Sequence, residues 1–497
     1  MPRLQFTKSN LSNLLCYGDN LTIMQDIPDG AVDLIYLDPP FNSKRDYNAI
    51  YQDETGNPLP KQVEVFKDTW YPSTKMFEII DRLHETMLEA GIDDNRAKFL
   101  HDYLLNIKHI EEGLQPYLTY MTYRLVDMRR VLKSTGTIYL HCDPTASHYL
   151  KTIMDCIFGH ENYRNEIIWG YTGPSATKKN FPRKHDVILR YSKSDKWVFN
   201  HDAIRIPYAE SSIERGKYGL DKSWGDSEGG WINEHGKIPE SYWVDIPIVR
   251  GEESLQYPTQ KPLALLERII KVSSNEGDFV LDPFCGCATT MEAAHNLGRK
   301  WMGIDIAIHA IKRVARVRLH DRLGLELGKD YEILGVPNDI EGAEDLWRRD
   351  PYHFQKWAVE EIGGYDAGPV AGGKIDGRIW YRMPDSTELG CMAIEVKGGK
   401  NISPSFLLGL ASIVSTHDDV DMAGLVTMRP ITGVQLANFN KEIARVGSFE
   451  VNGVEYKRLQ LLSAEEIVQG KRFEVPGRIQ GERKRQPVIP GITRKKG

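Results

Sequence analysis

Paired cysteines are missing from this sequence. Its six cysteines stand singly, apart from one C-x-C pair at Cys285 and Cys287. A disulfide framework or a structural zinc site would place cysteines at closer and repeated spacings, such as C-x-x-C. The pattern therefore excludes a small disulfide-stapled fold and predicts no structural zinc site.

Long hydrophobic runs are missing as well. No apolar stretch approaches the roughly eighteen residues that a membrane-spanning helix needs, and no charged and then apolar leader follows Met1. With 41% hydrophobic and 27% charged residues, the composition is that of a globular chain. We expect a soluble, cytoplasmic protein without a membrane partner, and its 497 residues should form at least two domains.

An excess of positive charge is the third missing feature. The formal net charge of −6 argues against a uniformly basic nucleic-acid surface, but DNA affinity depends on where the basic residues lie. One basic cluster lies in mid-chain and another in the tail, residues 471–497. A solvated loop or a disordered end explains each cluster equally well. The mid-chain cluster consists of Lys178, Lys179, Arg183 and Lys184.

Short apolar strands alternate with helical periodicity over residues 1–330. Residues 14–17, 32–37 and 279–282 read as strands, and residues 263–273 as an amphipathic helix. This alternation predicts an α/β fold with a Rossmann-like, doubly wound sheet, which binds ligands at the carboxyl ends of its strands. Residues 163–250 are irregular and rich in Gly, Trp and basic residues, so we predict an inserted recognition region outside the sheet layer.

The remaining chain predicts a second, smaller domain. Residues 331–345 contain Gly, Pro, Asn and Asp and read as a linker. Helical and strand patterns return over residues 346–470, where the order of elements indicates a separate α/β domain. The basic tail of residues 471–497 completes the predicted organisation.

An aspartate, two prolines and an aromatic residue follow the second predicted strand, as Asp38, Pro39, Pro40 and Phe41. An aromatic amine is a poor nucleophile because its lone pair is delocalised into the ring. A carboxylate and a proline-flanked carbonyl can both accept hydrogen bonds from one amino group and orient its nitrogen toward a methyl donor. The aromatic ring can stack on a base rotated out of a duplex. Taken alone, the segment is explained equally well as a turn.

A second group of residues lies at two later strand ends. Asp282 ends a predicted strand and is followed by small residues that open a helix, a pattern that lets the backbone approach a ligand closely. Asp305 ends the next strand, the position from which a carboxylate binds ribose hydroxyls in nucleotide-binding sheets. Together they predict a nucleoside cofactor, with a generic small-molecule site as the alternative.

These segments resemble the β class of amino-group DNA methyltransferases, in which the catalytic motif precedes the cofactor motif. Residues 38–41 are similar to the catalytic D-P-P-[YF], residues 284–288 are similar to the cofactor F-x-G-x-G with Ala288 in place of the last glycine, and residues 257–262 resemble the segment before it. Residues 37–48 are similar to the adenine-specific Mod methylases. The resemblance spans about residues 14–318.

The resemblance implies that the chain methylates the exocyclic amine of adenine in duplex DNA with S-adenosyl-L-methionine as cofactor. An initial Asp instead of Ser favours adenine, and cytosine stays the alternative. Residues 163–250 would select the sequence, with Lys178, Lys179, Arg183 and Lys184 contacting DNA. Aromatic residues there, such as Trp169 and Tyr171, are more often core residues than base contacts. The implied cofactor residues are Asp19, Thr259, Lys261, Asp282, Phe284, Gly286, Ala288 and Asp305.

Three charged residues of the second domain form another candidate site. Asp376 begins one predicted strand, and Glu395 and Lys397 share one face of the next. The segment resembles the Mrr-type restriction nucleases of the PD-(D/E)-x-K fold, which implies Mg²⁺ bound by Asp376 and Glu395, with Lys397 assisting phosphodiester hydrolysis. An exposed charged strand face is the plain alternative.

The combined prediction is a site-specific adenine methyltransferase fused to a metal-dependent endonuclease, as in restriction–modification. A DNA-binding regulatory methylase with an inert nuclease domain stays open, and so do RNA as the substrate and a homodimer as the assembly.

Overall fold

The chain divides into two compact units, residues 1–47 with 68–335 and residues 48–67 with 336–497. No helix among the described residues is long and apolar enough to cross a membrane. The computed structural model describes residues 6–7, 11–39, 74–110, 113–173, 177, 179–210, 233, 235–255, 260–308, 310–311, 317–366, 375–382, 389–399 and 402–476.

A nine-stranded sheet with helices forms the first unit. In chain order its strands are β1 (Leu14–Tyr17), β2 (Val32–Leu37), β3 (Leu132–Cys142), β4 (Tyr163–Gly170), β5 (His185–Ser192), β6 (Tyr242–Trp243), β7 (Phe279–Asp282), β8 (Lys300–Asp305) and β9 (Glu332–Leu334). Its α-helices are α1 (Asn20–Met24), α2 (Thr74–Glu89), α3 (Asp94–Asn106), α4 (Leu114–Val131), α5 (Ser147–Phe158), α6 (Leu263–Ser273) and α7 (Thr289–Asn296). A π-helix covers Val317–Arg322, and single 3₁₀ turns cover Ile107–His109, His160–Asn162, His201–Ile204 and Gly251–Glu253.

The strands of this sheet follow the order β6-β4-β5-β3-β2-β7-β8-β1-β9. From β3 to β9 every neighbouring pair is parallel, whereas β5 runs antiparallel to both β3 and β4. The prediction of an α/β fold is confirmed, and the sheet is mixed because of its antiparallel end. Since parallel strands share one carboxyl edge, side chains that follow β2, β7, β8 and β1 are brought together there.

The central strands form because most of their residues are apolar. Leu34, Ile35 and Leu37 of β2 are fully buried, as expected for a strand covered on both faces. Helix α6 places Leu265, Leu266 and Ile269 on one face at helical spacing and buries all three.

The prediction that residues 163–250 lie outside the sheet is wrong for the segments that form β4, β5 and β6. Strands β4 and β5 both belong to the main sheet, and β6 extends it. Val187, Ile188 and Leu189 of β5 are buried beside β3. The apolar core of β5 is only a few residues long and lies between polar residues, which hid it in the sequence.

The second unit is an α/β fold with a five-stranded sheet in the order β10-β11-β12-β13-β16. Strands β10, β11 and β12 are antiparallel neighbours, and β12, β13 and β16 are parallel. Its strands are β10 (Tyr365–Asp366), β11 (Gly377–Arg382), β12 (Leu389–Lys397), β13 (Met422–Thr427), β14 (Ser448–Val451), β15 (Val454–Lys457) and β16 (Leu459–Ser463), of which β14 and β15 form a separate hairpin. Its helices are α8 (Ile340–Arg349), α9 (Pro351–Glu361), α10 (Pro404–Thr416), α11 (Gly433–Val446) and α12 (Ala464–Val468).

The predicted linker, residues 331–345, is ordered structure instead. Its first part contains β9, which pairs with β1, and its second part begins α8. The Asp339 side chain accepts a hydrogen bond from the Gly342 amide and caps that helix. Turn-forming residues here serve a helix N-terminus and not a free connection, and the boundary between the units falls after Gly335.

Candidate active site

Four aspartates lie at the carboxyl ends of adjacent parallel strands. Asp38 directly follows β2, Asp282 ends β7, Asp305 ends β8, and Asp19 follows β1 by two residues. The sheet order places these strands side by side as β2-β7-β8-β1. The side chains that the sequence assigned to one site therefore share one edge, although up to 286 residues separate their positions in the chain (305 − 19 = 286).

Asp38 forms an ion pair with Lys261, which precedes α6. The Lys261 ammonium donates a hydrogen bond to Oδ2 of Asp38, and the two side chains are only 10% and 14% exposed. The other oxygen, Oδ1, is buried and has no hydrogen-bond partner among the described residues. A buried carboxylate with one oxygen held and the other unpartnered can accept a hydrogen bond from an incoming amine.

Asp282 is buried at the end of β7; burial, with the negative charges of Asp38 and Asp305, raises its pKa to about 7 against two hydrogen bonds that lower it. Its Oδ1 accepts a hydrogen bond from the Phe284 amide at 3.0 Å, and its Oδ2 accepts one from the Thr290 hydroxyl. Asp282 therefore fixes the turn that leads into α7.

The turn after β7 is shaped by two residues with left-handed backbone. Gly286 has φ of 47° and Ala288 has φ of 59°, and Ala288 is the N-cap of α7. Oδ2 of Asp305 accepts a hydrogen bond from the Gly286 amide at 2.9 Å. The last small residue of the cofactor-like segment thus occupies a conformation that favours glycine.

Asp19 is held by a buried arginine that the sequence did not reveal. Arg124 of α4 donates hydrogen bonds to Oδ2 of Asp19 and, at 2.6 Å, to Oδ1 of Asn20. The Asn20 amide in turn donates to the Pro283 carbonyl at 2.7 Å, next to Asp282. Arg124 therefore ties the loop after β1 to the turn after β7.

A second buried arginine, Arg318 of the π-helix, supports the turn after β7. Its Nε donates to the Cys287 carbonyl at 2.7 Å, and its guanidinium pairs with Glu292, while the arginine side chain is completely buried. Arg322 of the same π-helix donates to the Glu252 carbonyl at 2.6 Å. Unusual π-helical turns often occur at functional sites.

A polar chain connects β2 to the antiparallel end of the sheet. Tyr36 hydrogen-bonds with Nδ1 of His141 at 2.8 Å, and Nε2 of His141 lies 3.1 Å from Asp186. Burial, together with the charge of Asp38, raises the pKa of Tyr36 well above its ordinary value. Burial alone would raise the pKa of Asp186, but the hydrogen bond and charge of His141, the charge of Lys261 and the hydrogen bond from Tyr171 together lower that pKa. Tyr171 also donates to Asp186, at 3.3 Å.

Most of the remaining predicted residues lie in the parts of the chain that the structure describes. Pro39 is buried beside Asp38, and Phe284 packs against the core. Lys179 and Arg183 are exposed and Lys184 is half-buried, all on the loop between β4 and β5. Trp169 is a core residue whose Nε1 donates to the Ile246 carbonyl. Four predicted positions lie outside the described residues: Pro40, Phe41, Lys178 and Thr259.

The three charged residues singled out in the second unit lie near one another. Lys397 and Glu395 form an ion pair at 2.9 Å, and Oδ2 of Asp376 accepts a hydrogen bond from the Val396 amide. Burial raises the pKa of Glu395, the Lys397 charge lowers it, and the Asp376 charge raises it, with a net increase. Within the described ranges, no group of three or more His, Cys, Asp or Glu side chains is arranged to hold a metal ion.

The sequence model of the N6/N4 DNA methylase family matches residues 32–316. The chain belongs to this family. The match contains Asp38, Lys261, Asp282 and Asp305, and it does not extend into residues 336–497.

Several curated relatives share this region. Type II methyltransferase M.EcaI of Enterobacter cloacae is 29% identical over 44% of this chain, and the chain covers 62% of that protein. DNA adenine methyltransferase YhdJ of Escherichia coli is 28% identical over 61% of this chain and 81% of its own length. Type II methyltransferase M.HpaI of Haemophilus parainfluenzae is 32% identical over 52% of this chain and 77% of its own length.

Proposed function

We propose that the chain transfers a methyl group from S-adenosyl-L-methionine to the exocyclic amine of adenine in duplex DNA. This proposal rests on the hydrogen bonding of the Asp38 carboxylate. Lys261 holds one carboxylate oxygen, and the other oxygen is buried at the sheet edge without a described partner. Accepting a hydrogen bond from the amine localises its lone pair and orients the nitrogen for attack.

The edge beside Asp38 suits a nucleoside cofactor, which supplies an electrophilic methyl group when bound. The turn at Gly286 and Ala288 keeps backbone with small side chains at the strand ends. Asp305 and Asp19 lie one and two strands beyond β7. Each already accepts hydrogen bonds, but a carboxylate has about four acceptor positions, so both can still bind hydroxyl or amino groups.

Two observations favour adenine over cytosine as the target base. The catalytic segment begins with Asp38 and not Ser, and one relative, YhdJ, is an adenine methyltransferase by name. M.EcaI and M.HpaI are type II methyltransferases by name, which supports a role in restriction–modification. Methylation of the cytosine amine is the alternative that product analysis separates.

The test incubates purified protein with labelled S-adenosyl-L-methionine and duplex DNA, then digests the DNA to nucleosides. We expect N6-methyladenine, and Asp38→Asn should reduce transfer by at least about 100-fold while cofactor binding by calorimetry is kept. Asp33→Asn is the matched control, because Asp33 lies on the same strand and also pairs with a lysine, Lys133, at 2.7 Å. An Asp38→Asn variant as active as Asp33→Asn would refute the assignment.

A third variant distinguishes two roles for Lys261. By resemblance this lysine contacts the amino-acid end of the cofactor, whereas its ammonium here binds Asp38. If Lys261 positions Asp38, Lys261→Met lowers kcat and leaves cofactor affinity unchanged. If Lys261 binds the cofactor, the same variant weakens the affinity for S-adenosyl-L-methionine.

We further propose that the second unit is a metal-dependent DNA endonuclease. Asp376 precedes β11 directly opposite Glu395 of β12, and Glu395 pairs with Lys397, so two carboxylates and an ammonium lie at one strand end. Carboxylate oxygens suit Mg²⁺, and the lysine can stabilise the charge that develops on a phosphate. A net rise in the pKa of Glu395, opposed only by Lys397, is consistent with a site that would bind a cation.

Supercoiled plasmid with Mg²⁺ or Mn²⁺ tests this second activity. We expect nicked or linear product with the intact chain and none with Glu395→Gln. Glu442→Gln, which removes an exposed carboxylate paired with Arg445, is the control. No cleavage of methylated or unmethylated plasmid by the intact chain would refute the nuclease proposal.

A further inference from the structure

Phe181 is the most exposed large apolar side chain in the described part of the protein, at 97%. Other exposed phenylalanine rings have partners: Phe99 stacks on Tyr103, with ring centres 6.2 Å apart, Phe77 faces Lys108 at 4.8 Å, and Phe199 faces Arg190 at 4.6 Å. Phe181 has no ring or cation partner among the described residues. Its ring therefore contributes almost nothing to folding, and folding does not explain why it is held in water.

The loop that carries Phe181 leaves the sheet at the edge that holds Asp38. Leu37 of β2 is level with Leu140 of β3, and Cys142 at the end of β3 is level with Val187 of β5. Since β5 is antiparallel to β3, its first residues lie at the carboxyl edge. The β4–β5 loop thus ends, at the start of β5, two strands away from β2, about 10 Å across the sheet.

Hydrogen bonds connect the base of this loop to β2, the strand that precedes Asp38. The chain of hydrogen bonds from Tyr36 through His141 reaches Asp186, near the start of β5, and Tyr171 donates to the same carboxylate. The Tyr171 amide also donates to the Lys184 carbonyl at 2.9 Å, which closes the loop. The loop is therefore held in a fixed register with the strand that ends at Asp38.

The tip of the loop is shaped to present the ring between positive charges. The Thr177 hydroxyl donates to the Asn180 carbonyl at 3.2 Å, which turns the chain before Phe181, and Pro182 restricts the backbone after it. Lys179 and Arg183 on either side are exposed. An apolar ring flanked by cations matches the chemistry of a duplex, with stacked bases between two phosphate backbones.

This inference rests on the proposed methylation of duplex DNA. We propose that Phe181 inserts into the duplex at the position that the extruded target base vacates, while Lys179 and Arg183 contact the flanking phosphates. A base inside a duplex is inaccessible to Asp38, so it must leave the stack, and its departure opens a gap between neighbouring base pairs. The phenyl ring fills that gap by stacking on the bases that remain, which favours the extruded state.

The experiment compares Phe181→Ala with the intact full-length protein on two duplexes that carry the mapped target sequence. One duplex is fully paired, and the other has an abasic position opposite the target adenine, which removes the base-pairing barrier to extrusion. We expect kcat/KM to fall about 10- to 100-fold on the paired duplex and to change little on the abasic one. Phe181→Trp should retain activity on both, because it keeps a stacking ring.

A second readout follows extrusion directly. With 2-aminopurine in place of the target adenine, the intact protein should raise the fluorescence of the paired duplex, and Phe181→Ala should raise it less. Phe99→Ala, which removes another exposed aromatic ring from α3, is the matched control and should behave like the intact protein.

The outcomes separate this inference from the function on which it rests. Equal activity of Phe181→Ala and the intact protein on the paired duplex overturns the insertion of Phe181 and leaves the methyltransferase proposal standing. An equal loss of activity on both duplexes also overturns the insertion of Phe181, since that result indicates a contact unrelated to extrusion. It too leaves the methyltransferase proposal standing. If the intact protein methylates neither duplex, the proposed function itself fails, and the inference fails with it.

Discussion

Asp282 links the stability of the first unit to pH. In the unfolded chain its carboxyl group ionises near the ordinary pKa of 3.8, but in the folded protein it ionises near 7 because it is buried. Between these values the native state keeps a proton that the unfolded chain has released. Rising pH therefore favours unfolding across this window, by about 1.4 kcal/mol per pH unit and at most about 4 kcal/mol.

The prediction is made for Asp282→Asn, whose amide can still bond to both Phe284 and Thr290. The variant side chain does not titrate. As pH rises from about 4 to about 7, the free energy of unfolding of the wild type should therefore fall relative to that of the variant, and above pH 7 the difference should be constant. Urea titrations at several pH values measure this difference. A difference that is the same at every pH would contradict the prediction.

The π-helix Val317–Arg322 is an element that holds in place the two segments with candidate cofactor residues. Arg318 binds the turn after β7 through the Cys287 carbonyl, and Arg322 binds the segment before α6 through the Glu252 carbonyl. Gln260, next to Lys261, donates to the neighbouring Glu253 carbonyl at 2.8 Å. One turn of helix thus fixes both sides of the candidate cofactor site.

Arg318→Met tests this role. Removal of the guanidinium leaves the buried Glu292 carboxylate unpaired, which should destabilise the unit by about 3–5 kcal/mol. Replacing Glu292 by Gln in the same protein should recover part of that stability but not the affinity for S-adenosyl-L-methionine, because the Cys287 carbonyl is still without its donor. Chemical denaturation and binding calorimetry measure the two quantities. Recovery of both together would show that Arg318 is only a structural partner.

The strands and their ends could be predicted from local sequence, whereas their partners could not. Residues 32–37 are apolar except for Asp33 and stop before Asp38, residues 279–282 are apolar up to Asp282, and both strands have those bounds in the structure. The pairing of Lys261 with Asp38 spans 223 residues and depends on β2 lying beside β7. Arg124 and Arg318 look like ordinary helical cations in the sequence, and only the packing of their helices shows that they are buried.

At the scale of the whole molecule, the two units have separate hydrophobic cores. One core includes Val32, Leu140 and Met302, and the other includes Leu407, Leu425 and Phe439, with no residue in common. Scanning calorimetry of the full chain should therefore show two unfolding transitions. S-adenosyl-L-methionine at a hundred times its Kd should add about 3 kcal/mol to the free energy of unfolding of the first unit, and so raise the Tm of that transition alone. A single transition that shifts as a whole would contradict this independence.

The place of β1 in the first sheet has a consequence for how the protein is made. Of the strands in this sheet it is synthesised first, yet it lies between β8 and β9, where the partners of Leu14, Met302 and Glu332, follow it by 288 and 318 positions (302 − 14 and 332 − 14). Until those strands emerge, the amino-terminal segment has no neighbours with which to pair, and contacts this distant in sequence form slowly. A nascent chain that already contains Asp38 therefore still lacks Asp305 and the strand β8 that carries it, so the four aspartates at the sheet edge can come together only after β8 has been synthesised.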